Sequence, residues 1–351
     1  MSQRDFQVKW GASLKKETAY GTALADGDFT MLLPFLGPDL IDTVPTYDTD
    51  ADEYGKGHPY PTRQDVLKWD APFKRRFKCS VEALGWLASL ALGNVATTQP
   101  NVDDNPTVYL HTMKPFVPSS SNDMPSTSIV EQTNDFRTKK YPGVVVASLM
   151  LSGEGVNWVN LEADLYGSGK RAAFAGSIPA LTVVNYLRTH EAKLELGPYG
   201  DALVDISDQL KKWSLKWDNA PELEDGYFPS SGTQVDDEPS SGAVRGRCER
   251  GTPKLDFSIT FRVNSDAHKQ HLEDNDYMAL KLTLSGEVIT AGQPELFQAV
   301  IDLYKIGYAV APIGIENGMQ VYNITANTFY DESVSKILQL AVQNKHVAYL
   351  V

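Results

Sequence analysis

The sequence predicts a mainly β protein of two β-sandwich modules, residues 1–180 and 181–351, each with a flanking α-helix, plus long polar loops or arms. Three observations point there. Apolar residues recur with a period of two through most of the apolar stretches; the two segments with helical spacing both lie between strand patterns; and those helices start about 185 residues apart, close to half the chain, as a duplicated module would place them.

Each element follows from its residues. Residues 73–80 read as a strand. Ser80 then caps a helix whose Leu84, Leu87, Ala88 and Ala91 share a face, with Glu82 in the first turn and Gly93 placed to end it. The run 107–113 reads as the next strand. Val144 to Leu151 is continuously apolar and Val159, Leu161, Ala163 and Leu165 alternate after it, so a hairpin turns near 152–155. Trp213, Leu215 and Trp217 alternate with Lys212, Ser214 and Lys216. Leu255, Phe257, Ile259, Phe261 and Val263 alternate with polar residues, Ser265 caps a second helix over 266–274, and Met278, Leu280, Leu282 and Leu284 form the strand after it. Segments 36–65, 117–141 and 220–253 are polar and longer than ordinary loops. Each is expected to be an arm, a lid or a disordered segment, with 117–141 an arm that is mobile until contacts between subunits or rings order it.

Composition bounds the function. The 351 residues are 42% hydrophobic and 10% aromatic, enough for a sizeable core, and the net charge of -13 opposes a surface that grips nucleic acid through its phosphates. The start lacks an apolar signal core, and the longest apolar stretch, 84–92, is too short to span a bilayer, so no membrane partner is expected. Cys79 and Cys248 are too few and too far apart for a zinc site; both are expected reduced, Cys79 in the core.

Local motifs for chemistry fail one by one. Gly167-Ser168-Gly169-Lys170 lacks the earlier glycine and the following Ser or Thr of a phosphate loop, with Asp164 and Arg171 in those places. His190-Glu191 has Leu194 where a zinc-protease helix needs its second histidine. Asp48, Asp50 and Asp52 begin like a calcium loop, but Glu53 and Pro59 occupy its glycine and closing-acid positions. His268 and His271, near Glu273 and Asp274, read as surface imidazoles. No catalytic, cofactor or metal residue is nominated, and the expected protein is not an enzyme.

Four stretches carry a resemblance: Lys16-Glu17-Thr18-Ala19-Tyr20-Gly21-Thr22; the run 73–93, opening Phe73-Lys74-Arg75-Arg76-Phe77 and closing Leu90-Ala91-Leu92-Gly93; Tyr141-Pro142-Gly143-Val144-Val145-Val146; and Thr328-Phe329-Tyr330-Asp331. Together they resemble the large tail tube (major tail) proteins of long-tailed bacteriophages, in order over most of the chain. The resemblance implies a virion structural protein in the phage tail, assembled in the host cytoplasm. Its β-sandwiches would stack in rings as the conduit for genome ejection. It further implies self-association, as a trimer with pseudo-six-fold symmetry in preference to a hexamer, contacts with tape measure and tail terminator proteins, and DNA only as non-sticking cargo. Arg75 and Arg76 then read either as an exposed strand face or as an interface. Two other classes remain open: a β-sandwich receptor- or carbohydrate-binding protein, suggested by 16 Tyr and 6 Trp, and a hydrolase with paired carboxylates, suggested by 45 acidic residues.

Overall fold

The computed structural model describes residues 8–37, 40–50, 60–115, 122–133, 137–182, 184–228, 233–235, 239–263 and 267–350. The first half of the chain forms β1 (Val8–Ala12), β2 (Met31–Leu32), β3 (Val44–Thr49), β4 (Gln64–Lys78), α1 (Val81–Leu92), β5 (Gly93–Thr98), β6 (Tyr109–Pro115), β7 (Thr127–Thr133), β8 (Arg137–Glu154), β9 (Asn160–Gly167) and β10 (Ala172–Ala173). The second half forms β11 (Ala192–Pro198), β12 (Val204–Asp205), β13 (Leu210–Asp218), β14 (Pro221–Glu222), β15 (Thr233–Val235), β16 (Pro239–Ala243), β17 (Glu249–Arg250), β18 (Lys254–Arg262), α2 (Ala267–Glu273), β19 (Tyr277–Val288), β20 (Leu296–Val310), β21 (Ile313–Glu316), β22 (Met319–Thr328) and β23 (Leu338–Asn344). The mainly β class expected from the periodicity is what forms.

The strand pairing of the first half recurs in the second. β1 pairs β2 and β7, β7 pairs β8, β8 pairs β10 and β9, β9 pairs β4, and β4 pairs β3. In the same pattern β11 pairs β12 and β19, β19 pairs β20, β20 pairs β23 and β22, and β22 pairs β18; the halves then differ, because β13 and β22 flank the same stretch of β18, whereas β3 pairs β4 over residues 64–70, beyond the stretch 71–78 that pairs β9. All of these pairs are antiparallel. The helices also correspond, α1 following β4 and α2 following β18. One set of strands ends at β10 and the next begins at β11, on either side of residues 180 and 181.

Each half is therefore two-layered. One layer is β2–β1–β7–β8–β10 or its counterpart β12–β11–β19–β20–β23; the other is β4–β9–β8 or β18–β22–β20. The long strands β8 and β20 pass from one layer to the other. The halves join edge to edge, because β8 also pairs β13, from Ser148↔Asp218 to Glu154↔Lys212. A single antiparallel sheet thus runs β4–β9–β8–β13–β18–β22–β20, with β3 paired to the first part of β4, residues 64–70, and β21 continues the place of β20 along β22, from Ile313↔Tyr322 to Glu316↔Met319. The β5–β6 hairpin is an addition of the first half, and β6 crosses over to pair β23.

Period-two burial follows from this layering. Phe73 and Phe77 of β4, Leu161 and Leu165 of β9, Trp213 and Trp217 of β13, and Phe257 and Phe261 of β18 all point into one core. The two helices differ. In α1 Ser80 Oγ accepts from Ala83 N–H at 3.1 Å, and Gly93 closes the helix at φ 82° with its N–H on Ser89 O. Every residue of α1 except Glu82 is buried, because the helix is apolar on nearly all sides and lies against β8, β6, β5 and β23. α2 spans only Ala267–Glu273 and is partly exposed; the expected cap Ser265 lies outside the described residues.

One expectation is corrected. Residues 127–133 of the polar segment 117–141 are no arm: they form β7, clamped between β1 and β8, and all but Gln132 are buried. Ser, Thr and Glu side chains can line a core when each polar atom finds a partner. Here those partners come from distant parts of the chain.

Candidate assembly surface

The first of those partners is Glu17, from the first of the four motifs. Its carboxylate accepts from Gly21 N–H (2.9 Å), Gly143 N–H (2.8 Å), Ser126 Oγ (2.8 Å) and Ser128 Oγ (2.7 Å). Burial pushes the Glu17 carboxyl up from its ordinary value, while these four donors pull the other way. The motifs at 16–22 and 141–146 therefore meet around one buried carboxylate that also ties down β7. Gly143 sits at φ 72°, and an added Cβ would meet Ser168 Cβ at 2.6 Å, so this crossing requires glycine.

A second buried acid, Glu131 of β7, pairs with Arg75 Nη2 of β4 at 3.2 Å and accepts from Ile41 N–H at 3.0 Å. The Arg75 guanidinium also lies 5.2 Å from the Trp10 ring centre and 5.0 Å from that of Phe35. Arg75 is 2% exposed, which corrects its reading as a surface or interface residue. Its neighbour Arg76 points the other way and is exposed.

That other side is the open face of the through-running sheet. Reading across the registers, Arg76, Glu162, Met150, Lys216, Asp256 and Asn327 form one row, and Lys78, Asn160, Ser152, Ser214, Ser258 and Thr325 form the next. Basic residues on this face from β4 to β22 are Lys74, Arg76, Lys78, Lys212, Lys216, Lys254 and Arg262; acidic ones are Glu154, Glu162, Asp164, Asp218 and Asp256. Four of the seven basic residues are paired in place. Lys74 Nζ lies 3.0 Å from Glu162 and 3.8 Å from Asp164, Lys216 lies 3.5 Å from Asp218, Lys254 lies 2.8 Å from Asp256, and Lys212 lies 3.1 Å from Glu316. Ser148 Oγ donates to Asp164 at 2.7 Å. Hydrogen bonding to Glu162 raises the Lys74 ammonium above its ordinary value, holding it charged and engaged. The face is wide and polar, with seven basic to five acidic residues, although the chain as a whole carries -13.

The residues tested in the sequence for chemistry take structural places. Ser168 is buried with its Oγ donating to Pro142 O at 2.8 Å, and Gly169 holds φ 89° where a Cβ would strike Trp69 O. His268 stacks on Phe261 with ring centres 5.1 Å apart, and His271 Nδ1 lies 3.0 Å from Asp276. Asp50 accepts from Thr62 N–H, while Asp52 and Glu53 lie outside the described residues. Among the described residues no group of three or more His, Cys, Asp or Glu is placed to hold a metal ion, and no helix is long and apolar enough to cross a membrane. Cys79 and Cys248 are buried free thiols; burial pushes Cys248 up to about 11 and Cys79 further in the same direction. The exposed aromatics nearest to a sugar platform are Tyr199, Tyr277 and Phe329, the last from the motif at 328–331. Lys305 Nζ lies 4.2 Å from the Tyr277 ring centre and 5.3 Å from that of Tyr199, so those ring faces are already occupied.

Alternation could not reveal His111, which fastens the end of the chain. Its ring contacts Thr97 Oγ1 (2.9 Å), Asn344 Oδ1 (3.2 Å) and His346 O (2.9 Å) and packs edge-on to Tyr349. Burial pushes its pKa down to about 4. A histidine kept neutral when folded stabilises fully above its unfolded value near 6.5, and that stability is lost as pH falls toward 4. Buried acids with raised values, such as Glu17 and Glu82, act in the opposite sense, so the His111 effect is isolated by comparison with His111→Gln. Between pH 7 and pH 5 wild type should lose about 2 kcal/mol relative to the variant in urea unfolding. Parallel pH profiles would show that His111 does not carry this dependence.

No family model matches the chain, and no curated protein matches it.

Proposed function

We propose that the protein is a structural, non-enzymatic subunit of a phage tail tube, in which the polar face of the β4-to-β20 sheet lines the conduit for DNA. The observation that carries this reading is the fusion of two sandwich units by β8–β13 pairing. One chain already contains the edge-to-edge contact from which a ring is built. A conduit must also let a polyanion slide, and a face on which Lys74, Lys212, Lys216 and Lys254 are each engaged by a neighbouring carboxylate offers fewer cations for counterion release.

Strand count favours three chains per ring over six. The sheet provides three strand positions in the first half and four in the second, hence seven per chain. With strands ~4.8 Å apart and tilted ~40°, three chains close a barrel about 42 Å across, leaving a bore of about 32 Å once side chains are placed. Six chains would give a bore of about 74 Å on the same geometry. A single duplex passes the first with clearance and would leave most of the second empty. The location that follows is the virion tail, with tape measure protein inside the bore and a terminator protein at one end.

Electron microscopy of the purified protein tests this directly. Rings or tubes with three-fold symmetry are expected, and they should persist in EDTA and dithiothreitol because neither a metal nor a disulfide enters the proposed contacts. A protein that stays monomeric at high concentration, or rings of six chains, would refute the reading or its stoichiometry respectively.

A further inference from the structure

The β21–β22 hairpin turns on Asn317-Gly318, and this is the one Asn-Gly pair in the chain. Its ladder closes at Glu316↔Met319, so both turn residues lie outside it. Asn317 holds φ 52° and Gly318 φ 77°, the two left-handed residues that a type I′ turn requires. Both are exposed, the Cβ that Gly318 lacks would point into open space, and no hydrogen bond among the described residues holds the Asn317 carboxamide. Beside the turn, Glu316 accepts from Lys211 Nζ at 3.3 Å and from Lys212 Nζ at 3.1 Å.

A carboxamide followed by an unhindered amide nitrogen can cyclise. We infer that Asn317 is a site of spontaneous, non-enzymatic deamidation, which converts this turn with age into a mixture of aspartate and isoaspartate. The deprotonated Gly318 nitrogen attacks Asn317 Cγ; the new C–N bond forms as the Cγ–Nδ2 bond breaks, and Nδ2 leaves as ammonia. Water then opens the cyclic imide. Addition at Cγ gives aspartate with the original backbone, whereas addition at the main-chain carbonyl carbon of residue 317 gives isoaspartate, whose backbone runs through the side chain. After every other asparagine the next residue carries a Cβ that crowds the attacking nitrogen, which singles out Asn317.

The fold sets the rate. A type I′ turn restrains the dihedral angles through which the ring must close, so the hairpin has to open first. Opening costs little here, because β21 is a strand of 4 residues paired among the described residues only with β22, and its Ile315 is 76% exposed. The two products then differ. Aspartate keeps the turn, but isoaspartate adds a backbone methylene that so tight a turn cannot absorb, loosening β21 and drawing Glu316 away from Lys211 and Lys212. None of this chemistry depends on the tube reading.

Purified protein aged at about pH 8 and mapped by peptide mass spectrometry should show conversion at Asn317 ahead of every other asparagine, isoaspartate being the form that the protease Asp-N leaves uncut. One pH unit lower the rate should fall about tenfold, because the attacking nitrogen must lose its proton. In urea, where no turn restrains the ring, it should rise. Asn317→Asp supplies the pure aspartate form, and the β21 amides of the isoaspartate form should exchange hydrogen at least about tenfold faster than those of this variant. Asn317 unchanged while other asparagines convert would overturn the site. Conversion no faster in urea would refute restraint by the turn, and equal exchange in the two forms would refute the loosening of β21.

Discussion

Replacing Arg75 with alanine should cost about 3–5 kcal/mol, enough to unfold many domains of this size. The loss has two parts. The guanidinium is packed among Trp10, Phe35 and Phe73, whose ring centres lie 5.0–5.6 Å away, so truncation empties volume at the centre of the first sandwich. It also leaves the Glu131 carboxylate, 2% exposed, without its cation. The double variant Arg75→Met with Glu131→Gln keeps the volume and removes both charges, and it should be markedly more stable than Arg75→Ala. Urea unfolding of the three proteins decides the matter. A midpoint for Arg75→Ala within about 0.5 kcal/mol of wild type would mean that the pair is solvated and dispensable.

The second large effect concerns sliding. In Glu162→Gln with Asp164→Asn the polar face keeps its shape but loses two carboxylates per chain, releasing Lys74 from its contacts at 3.0 and 3.8 Å. A three-chain ring then gains six net positive charges, repeated in every ring of the tube. Wild-type tubes should carry down little fluorescent duplex on sedimentation. Variant tubes should retain it at low salt and release it as salt rises, with affinity falling about 1,000-fold between about 50 and 200 mM. Equal retention by both would show that this face does not line the bore, whatever the ring stoichiometry.

What the sequence disclosed, and what it hid, divides along a physical line. Alternation located β9, β13, β18 and β19 because one-sided burial stamps a period of two on the residues themselves. Ser80 and Gly93 marked both ends of α1 because capping is local chemistry. By contrast, β7 reads as a polar loop, since the donors and acceptors that let Ser126, Ser128 and Glu131 go inside come from Glu17, Ile41 and Arg75, far away in the chain. The strand–helix–strand repeat was visible in outline, but the matched pairing of the two halves was not, because register is decided between partners and not within either one. The polar face was likewise invisible as a unit: Lys74, Glu162, Lys216 and Asp256 are scattered in sequence and meet only across strands.

The β8–β13 junction has a kinetic consequence. Joining two units covalently turns one of every two lateral contacts into an event within a molecule, at an effective concentration of order millimolar instead of the concentration of free chains. On the tube reading, nucleating a ring would then require three bodies to meet in place of six, so its rate should rise roughly with the third power of concentration. Growth could begin from dilute protein, with fewer stalled partial rings to consume subunits. The two halves also differ outside their shared strand pattern, the β5–β6 hairpin being an addition of the first and the β14–β17 pair of the second. On the tube reading, a partner binding the outside of a three-chain ring would meet three equivalent places, although the inner wall would approximate six.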